Sequence, residues 1–409
     1  MKKSIFKNQT LIIGIIICLS LIIWQVWRFN NNSSIFSKGQ NSNSTSSRIL
    51  FIISASPSPS PIPVYPRLSP APSVVKAVYL TSYSAGNPQK IDEIIKLIDE
   101  TELNGVVIDI KDYTGKVAFE TQSDLLKNLN AEEIKIKDFD LLVKKFHEHN
   151  IYVITRIAVF QDLNLVKQKP EVAVKNKFTG GIWKDRKGIS WVDPASKFVW
   201  DYNVEVAKQA INLGVDEINF DYIRFPSDGD MKALAYPVFD ESQLSKSQQL
   251  EKFFKYLNEN LKPTGVKLSV DLFGLSTINN DDLGIGQKIE PAYLYFDYVC
   301  PMVYPSHYAK GFIGYQNPAQ YPYEVIDYSL EKALIKRENL IKEMASTTPD
   351  FATSSIGILR PWLQAFDLGA DYTPQMIRKE IQAVYDNNLY YGWYLWDPKN
   401  VYSPAIFQH

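Results

Sequence analysis

Beyond Val74 the chain alternates between eight short β-rich apolar runs and seven amphipathic helical stretches, and nothing else in it limits the fold so tightly. Parallel strands need a crossover between them, and a helix is the usual one, so the alternation implies repeated βα units around a parallel sheet. Eight such units close into a (β/α)8 barrel, the TIM-barrel architecture. The pattern predicts strands over 75–81, 105–112, 151–160, 217–225, 267–274, 298–305, 355–362 and 391–397. Helices are predicted near 89–103, 138–149, 195–213, 241–261, 285–296, 322–346 and 373–387. Little chain follows Asp397, so the eighth helix is expected to be missing, vestigial or supplied from elsewhere. Asp193-Pro194 and Thr373-Pro374 have the residues of a helix N-cap followed by proline at the first helical position.

The domain, 74–409, is preceded by two segments of different composition. Met1, Lys2, Lys3 and Lys7 lead into Leu11 to Trp27, whose clearly polar members are Ser20 and Gln25. With Ile5 and Phe6 the run approaches the ~20 apolar residues that cross a bilayer, and Trp24 and Trp27 suit the outer interface. Residues 1–29 are therefore expected to be a cytoplasmic stub and transmembrane helix, with a cleaved signal peptide as the alternative. The basic residues precede the run, which places the domain outside the cell membrane as a single-pass protein, or secretes it if the segment is cleaved. Residues 30–73 are rich in Asn, Ser and Pro, and read as a disordered linker that cannot bury enough surface to fold.

A formal net charge of -1 excludes a general polyanion binder, so nucleic acid is not an expected partner. Two cysteines, Cys18 and Cys300, allow no disulfide framework, and the four histidines, His147, His149, His307 and His409, show no metal-ligand spacing. No metal or organic cofactor is expected. The 13% aromatic content suits sugar binding as well as packing.

Active sites of such barrels lie at the C-terminal ends of the strands, and there this sequence places a ring of polar residues within apolar runs. They are Asp109 and Lys111, Arg156, Asn219 and Asp221, Arg224, Asp271, Tyr304, Arg360, and Trp396 with Asp397. Period two sets Asp109 with Lys111, and Asn219 with Asp221, on shared faces. A carboxylate in an apolar strand is costly unless paired, so the ring implies chemistry or buried ion pairs. Two carboxyl groups flanking a glycosidic bond are what glycoside hydrolysis requires. Asp221 is the candidate nucleophile or base and Asp271 the candidate acid, with Asp109 able to replace either. Trp183 and Trp191, on a glycine-flexed loop after the third strand, are candidates for stacking on sugar rings.

The domain from Val75 to Asp397 resembles the DUF4015 family of glycoside-hydrolase-like barrels. The resemblance rests on Val106–Asp112, Trp191-Val192-Asp193-Pro194, Asn219–Pro226 and Arg360–Phe366 taken together. It implies a (β/α)8 fold and hydrolase activity on a carbohydrate. A more distant similarity runs to the chitinase-like family eighteen hydrolases, but Ile223 stands where their acid glutamate belongs. The expected function is thus hydrolysis of an extracellular or cell-wall polysaccharide by two carboxylates. The alternative is a barrel that binds glycan for adhesion or wall assembly without cleaving it.

Overall fold

The computed structural model describes residues 65–348 and 351–408. The expected membrane segment, the linker as far as residue 64, and His409 lie outside the described residues. Among the described residues no helix is long and apolar enough to cross a membrane.

The domain is a closed parallel barrel. Its strands are β1 (Val75–Leu80), β2 (Gly105–Lys111), β3 (Tyr152–Ala158), β4 (Glu217–Asp221), β5 (Lys267–Phe273), β6 (Tyr298–Met302), β7 in two pieces (Ile358–Leu359 and Trp362–Gln364) and β8 (Gly392–Trp396). Consecutive strands pair in parallel, and Val75↔Gly392 to Val78↔Leu395 join β8 to β1. The break in β7 falls at Arg360-Pro361, where proline has no N–H to offer a neighbouring strand.

Among the described residues seven helices of seven residues or more cover the outside: α1 (Pro88–Asp99), α2 (Phe139–Glu148), α3 (Lys197–Asn212), α4 (Lys246–Leu261), α5 (Ile289–Tyr295), α6 (Pro322–Thr347) and α7 (Pro374–Asp386). In α4, Ser245 and Gln248 form a capping box, and Leu250, Phe253, Phe254, Leu257 and Leu261 make one buried stripe against the strands. Thr373 caps α7 through the Met376 N–H, with Pro374 following as the sequence predicts. Asp193 does not cap α3, which starts after Ser196. Its carboxylate accepts instead from the N–H groups of Ala195, Val238 and Phe239, tying together the loops after β3 and β4. Where an eighth helix would lie, a single 3-10 turn, Pro404–Ile406, packs Ile406 and Phe407 into the outer core.

Two apolar cores result. A large one fills the space between strands and helices, and a small one, including Val75, Ala77, Val107, Ile154 and Cys300, plugs the barrel's lower half. Tyr65 to Leu68 form a strap under that plug. The Tyr65 N–H reaches Asn212 O, Arg67 reaches Thr264 O, and the Leu68 N–H bonds Asp216 Oδ1 at 2.8 Å. Leu68 packs on the lower core. The final residues of the segment read as linker therefore lie against the barrel.

Gly392 is the tightest point of closure. Its φ is +102°, and a Cβ there would stand 1.8 Å from Val75 O. Gly392→Ala is expected to cost the upper end of about 1–3 kcal/mol, because strain and overpacking act together where β8 meets β1. Denaturant unfolding of the full chain checks this, and an unchanged midpoint would show that the junction yields freely.

Candidate functional site

Residues at alternate positions of the strands point into the barrel, and they sort into two polar layers. In the lower one Arg360 donates to Glu217 at 2.9 Å and to the Tyr394 hydroxyl at 2.7 Å, and lies 3.3 Å from the centre of the Tyr298 ring. Arg360, Glu217 and Tyr394 are fully buried beneath the site. Arg360 was expected to bind substrate, but it sits one layer too low. Trp362, two residues further along β7, reaches the rim in its place.

The upper layer is organised by one guanidinium. Arg156 Nη1 donates to Asp109 Oδ1 at 2.6 Å, Nη2 to Asp221 Oδ2, and Nε faces Asp271 Oδ2 at 3.4 Å. Asp109 also accepts from the Tyr79 hydroxyl at 2.5 Å. Asp221 closes β4, and its Oδ1 accepts from the N–H of Tyr222, which turns the chain with φ +50°. Asp271 lies deepest. Its Oδ1 receives Trp362 Nε1 at 2.7 Å and Asn219 Nδ2 at 2.8 Å. Oδ1 accepts two short bonds and Oδ2 a single long one from Arg156 Nε, so Oδ2 is the freer atom to hold a proton.

Three carboxyl groups around one cation cannot all be charged cheaply. Burial, and then the neighbouring Asp221 charge, push Asp271 up to about 8, against the opposing pull of Arg156. Burial also raises Asp109, though Arg156 and Tyr79 oppose it. Although burial works against its charge, Arg156 is held firmly charged by Asp109 and Asp221. Of the pair, therefore, Asp271 is the carboxyl group whose charged form is disfavoured.

Above this layer opens a cleft of about 510 Å³, to which Arg156, Asp221, Asp271 and Arg224 contribute polar surface. Tyr304 and Trp396 stack on each other in its wall, ring centres 5.3 Å apart and planes at 27°, and Trp362 and His307 line it as well. The arrangement offers an acid, a second carboxylate, and flat apolar faces beside them, the combination that acts on sugars. Among the described residues no group of His, Cys, Asp or Glu side chains could hold a metal ion.

The structure brings together Asp109, Arg156, Asn219, Asp221, Arg224, Asp271, Tyr304 and Trp396 as the sequence predicts. Four other candidates besides Arg360 fall elsewhere. Lys111 points outward, with 0% exposure, onto Asp162 at 2.8 Å and the ring of Tyr202. A bulge between Asp109 and Lys111 adds one residue to β2 and reverses the parity that would have put both on one face. Asp397 follows the inward Trp396, so it turns away and accepts from the N–H groups of Lys399 and Val401. Trp183 and Trp191 are buried. Trp183 Nε1 donates to Asp230 O and pins the two long loops, while Trp191 Nε1 donates to Asp185 and its face lies under Arg224. Neither presents a face to a sugar. Tyr79, Trp362 and His307 are the site residues that sequence reasoning missed. Trp362 and Tyr79 were detectable, being polar-tipped aromatics on inward positions of β7 and β1.

Residues 77–402 match the model of the DUF4015 family, described as "Putative glycosyl hydrolase domain". No curated protein matches the chain. Among solved structures, a hypothetical protein from Ruminiclostridium thermocellum is 36% identical over 51% of this chain and 98% of its own, with a TM-score of 0.44. The glycoside hydrolase domain of PgaB (BpsB) from Bordetella bronchiseptica is 10% identical, with a TM-score of 0.56 over 82% of this chain and 99% of that one. An α-L-fucosidase isoenzyme from Paenibacillus thiaminolyticus is 12% identical, with a TM-score of 0.51 over 81% of this chain and 47% of that one. At such identities the last two share the barrel with this chain, and no more is carried over from them.

Proposed function

Since the chain belongs to the DUF4015 family of glycosyl-hydrolase-like domains, we propose that it hydrolyses glycosidic bonds of an extracellular or cell-wall polysaccharide through Asp271 and Asp221. The observation that carries this is Asp271, a buried carboxyl group whose pKa is raised by burial and by Asp221, at the base of an open, aromatic-lined cleft. Asp271 Oδ2 gives its proton to the bridging oxygen of the scissile bond. Asp221 attacks the anomeric carbon as that bond breaks, and water that gives a proton back to Asp271 then displaces it; in the one-step alternative Asp221 draws a proton from the water that attacks directly. Asp221 and Asp271 share the Nε–Nη2 edge of Arg156, which favours the shorter carboxyl spacing, about 5 Å, of the double-displacement route. The apolar N-terminal run would hold the enzyme at the membrane with the domain outside.

The test is release of new reducing ends from a panel of wall and exopolysaccharides by the full chain across pH. Because the acid must be protonated, turnover should fall as pH rises through about 8. Activity still climbing at pH 9 would remove Asp271 from the acid role. One observation favours a second reading: Arg156 occupies all three carboxylates, as in a barrel that binds glycan without cleaving it. That reading requires tight binding and no turnover on any glycan.

A further inference from the structure

Arg156 and Arg360 each meet carboxylates, whereas Arg224 meets none within ion-pair distance among the described residues. Resting on the glycosidase reading for its ligand type, we propose that Arg224 receives a carboxylate of the substrate, so that the glycan taken by this cleft contains hexuronic acid.

Arg224 follows the turn at Tyr222 and returns to the cleft wall, where it is only 8% exposed. Its guanidinium lies 4.7 Å from the ring centre of Trp191 and 4.7 Å from that of Phe273. These faces fix its plane. Nη1 donates to Phe225 O and to Ser227 Oγ, at 3.1 Å each. Nε and Nη2 have no hydrogen-bond partner among the described residues, and neither is sealed away from the cleft. A rigid guanidinium is thus left with its two-donor edge unused, and that edge matches the two oxygens of a carboxylate.

The nearby anions do not fill the place: Asp221, the foremost of them, is held by Arg156 and by the Tyr222 N–H. Asp228 Oδ1 accepts from the Arg186 N–H at 3.1 Å. Asp185 is occupied by the N–H groups of Lys187 and Ile189 and by the side chains of Gln161 and Trp191. Lys187 lines the same cleft and adds a second cation. A buried cation without a close counter-ion is costly, and burial does disfavour the charged form of Arg224. A sugar hydroxyl would leave most of that cost in place, and a carboxylate would offset it.

The proposal is tested by calorimetric binding of the full chain to galacturonate, glucuronate and mannuronate oligosaccharides, each beside the same oligosaccharide with its carboxyl groups reduced to alcohols. At least one acidic form should bind about tenfold tighter than its reduced counterpart. In Arg224→Gln that ratio should fall to about one, and Arg224→Lys should keep only part of it. Equal affinity of the parent for acidic and reduced forms would overturn the proposal without depending on any variant's folding. So would an unchanged ratio in Arg224→Gln, or an Arg224-dependent preference for sulfated over uronic oligosaccharides. Binding needs no turnover, so a chain that cleaves nothing can still support this site, and one that cleaves only neutral glycans defeats this inference alone.

Discussion

Asp271→Asn is expected to reduce turnover by about 10³-fold or more while glycan binding remains, because the substitution removes the proton donor and keeps the shape. The same variant should be more stable than its parent at alkaline pH. Burial and Asp221 raise the Asp271 pKa to about 8 in the fold, above the ordinary value of an unfolded aspartate. The folded state therefore binds the extra proton between those two values, and stability declines as pH rises through that interval. Asparagine carries no charge to be desolvated, and its side-chain oxygen can still accept from Trp362 and Asn219. A gain in stability above pH 8, vanishing near pH 4, should appear in denaturant unfolding. Full activity in Asp271→Asn, or a loss of stability at every pH, would mean that Asp271 is a charged structural partner of Arg156.

The second large effect is expected at Arg156. Arg156→Met removes the cation shared by Asp109, Asp221 and Asp271 and leaves buried carboxyl groups without it. Removing one member of a buried charged cluster costs about 3–5 kcal/mol, and that loss should be seen at pH 8. As pH falls toward 4 the carboxyl groups take up protons and no longer need the guanidinium, so the deficit should shrink. Adding Asp221→Asn to Arg156→Met should restore part of the loss at pH 8. An identical deficit at both pH values would assign the effect to lost packing of the arginine stem.

These expectations show what the sequence holds and where it stops. The strands and the seven helices are legible because the periods 2 and 3.6 are clean and several ends bear turn or cap residues, Thr373-Pro374 among them. Asp221 and Asp271 are legible because an ionisable group inside an apolar strand needs a reason. What stays hidden is local backbone geometry. The bulge after Asp109 turns Lys111 out of the site, and no residue type announces it. The level of a side chain along the barrel axis is hidden too: Arg360 and Trp362 share a face, but only the second is high enough to meet substrate. Trp183 and Trp191 look like sugar platforms by composition. Their burial depends on the loops after β3 and β4 folding onto each other, which is a contact between distant parts of the chain.

The strap from Tyr65 to Leu68 fixes a direction. It is bound to Asn212, Thr264 and Asp216, which lie just before β4 and β5 at the end of the barrel where the strands begin, while the cleft opens at the other end. Whatever precedes residue 65 thus joins the domain on the side away from its working mouth.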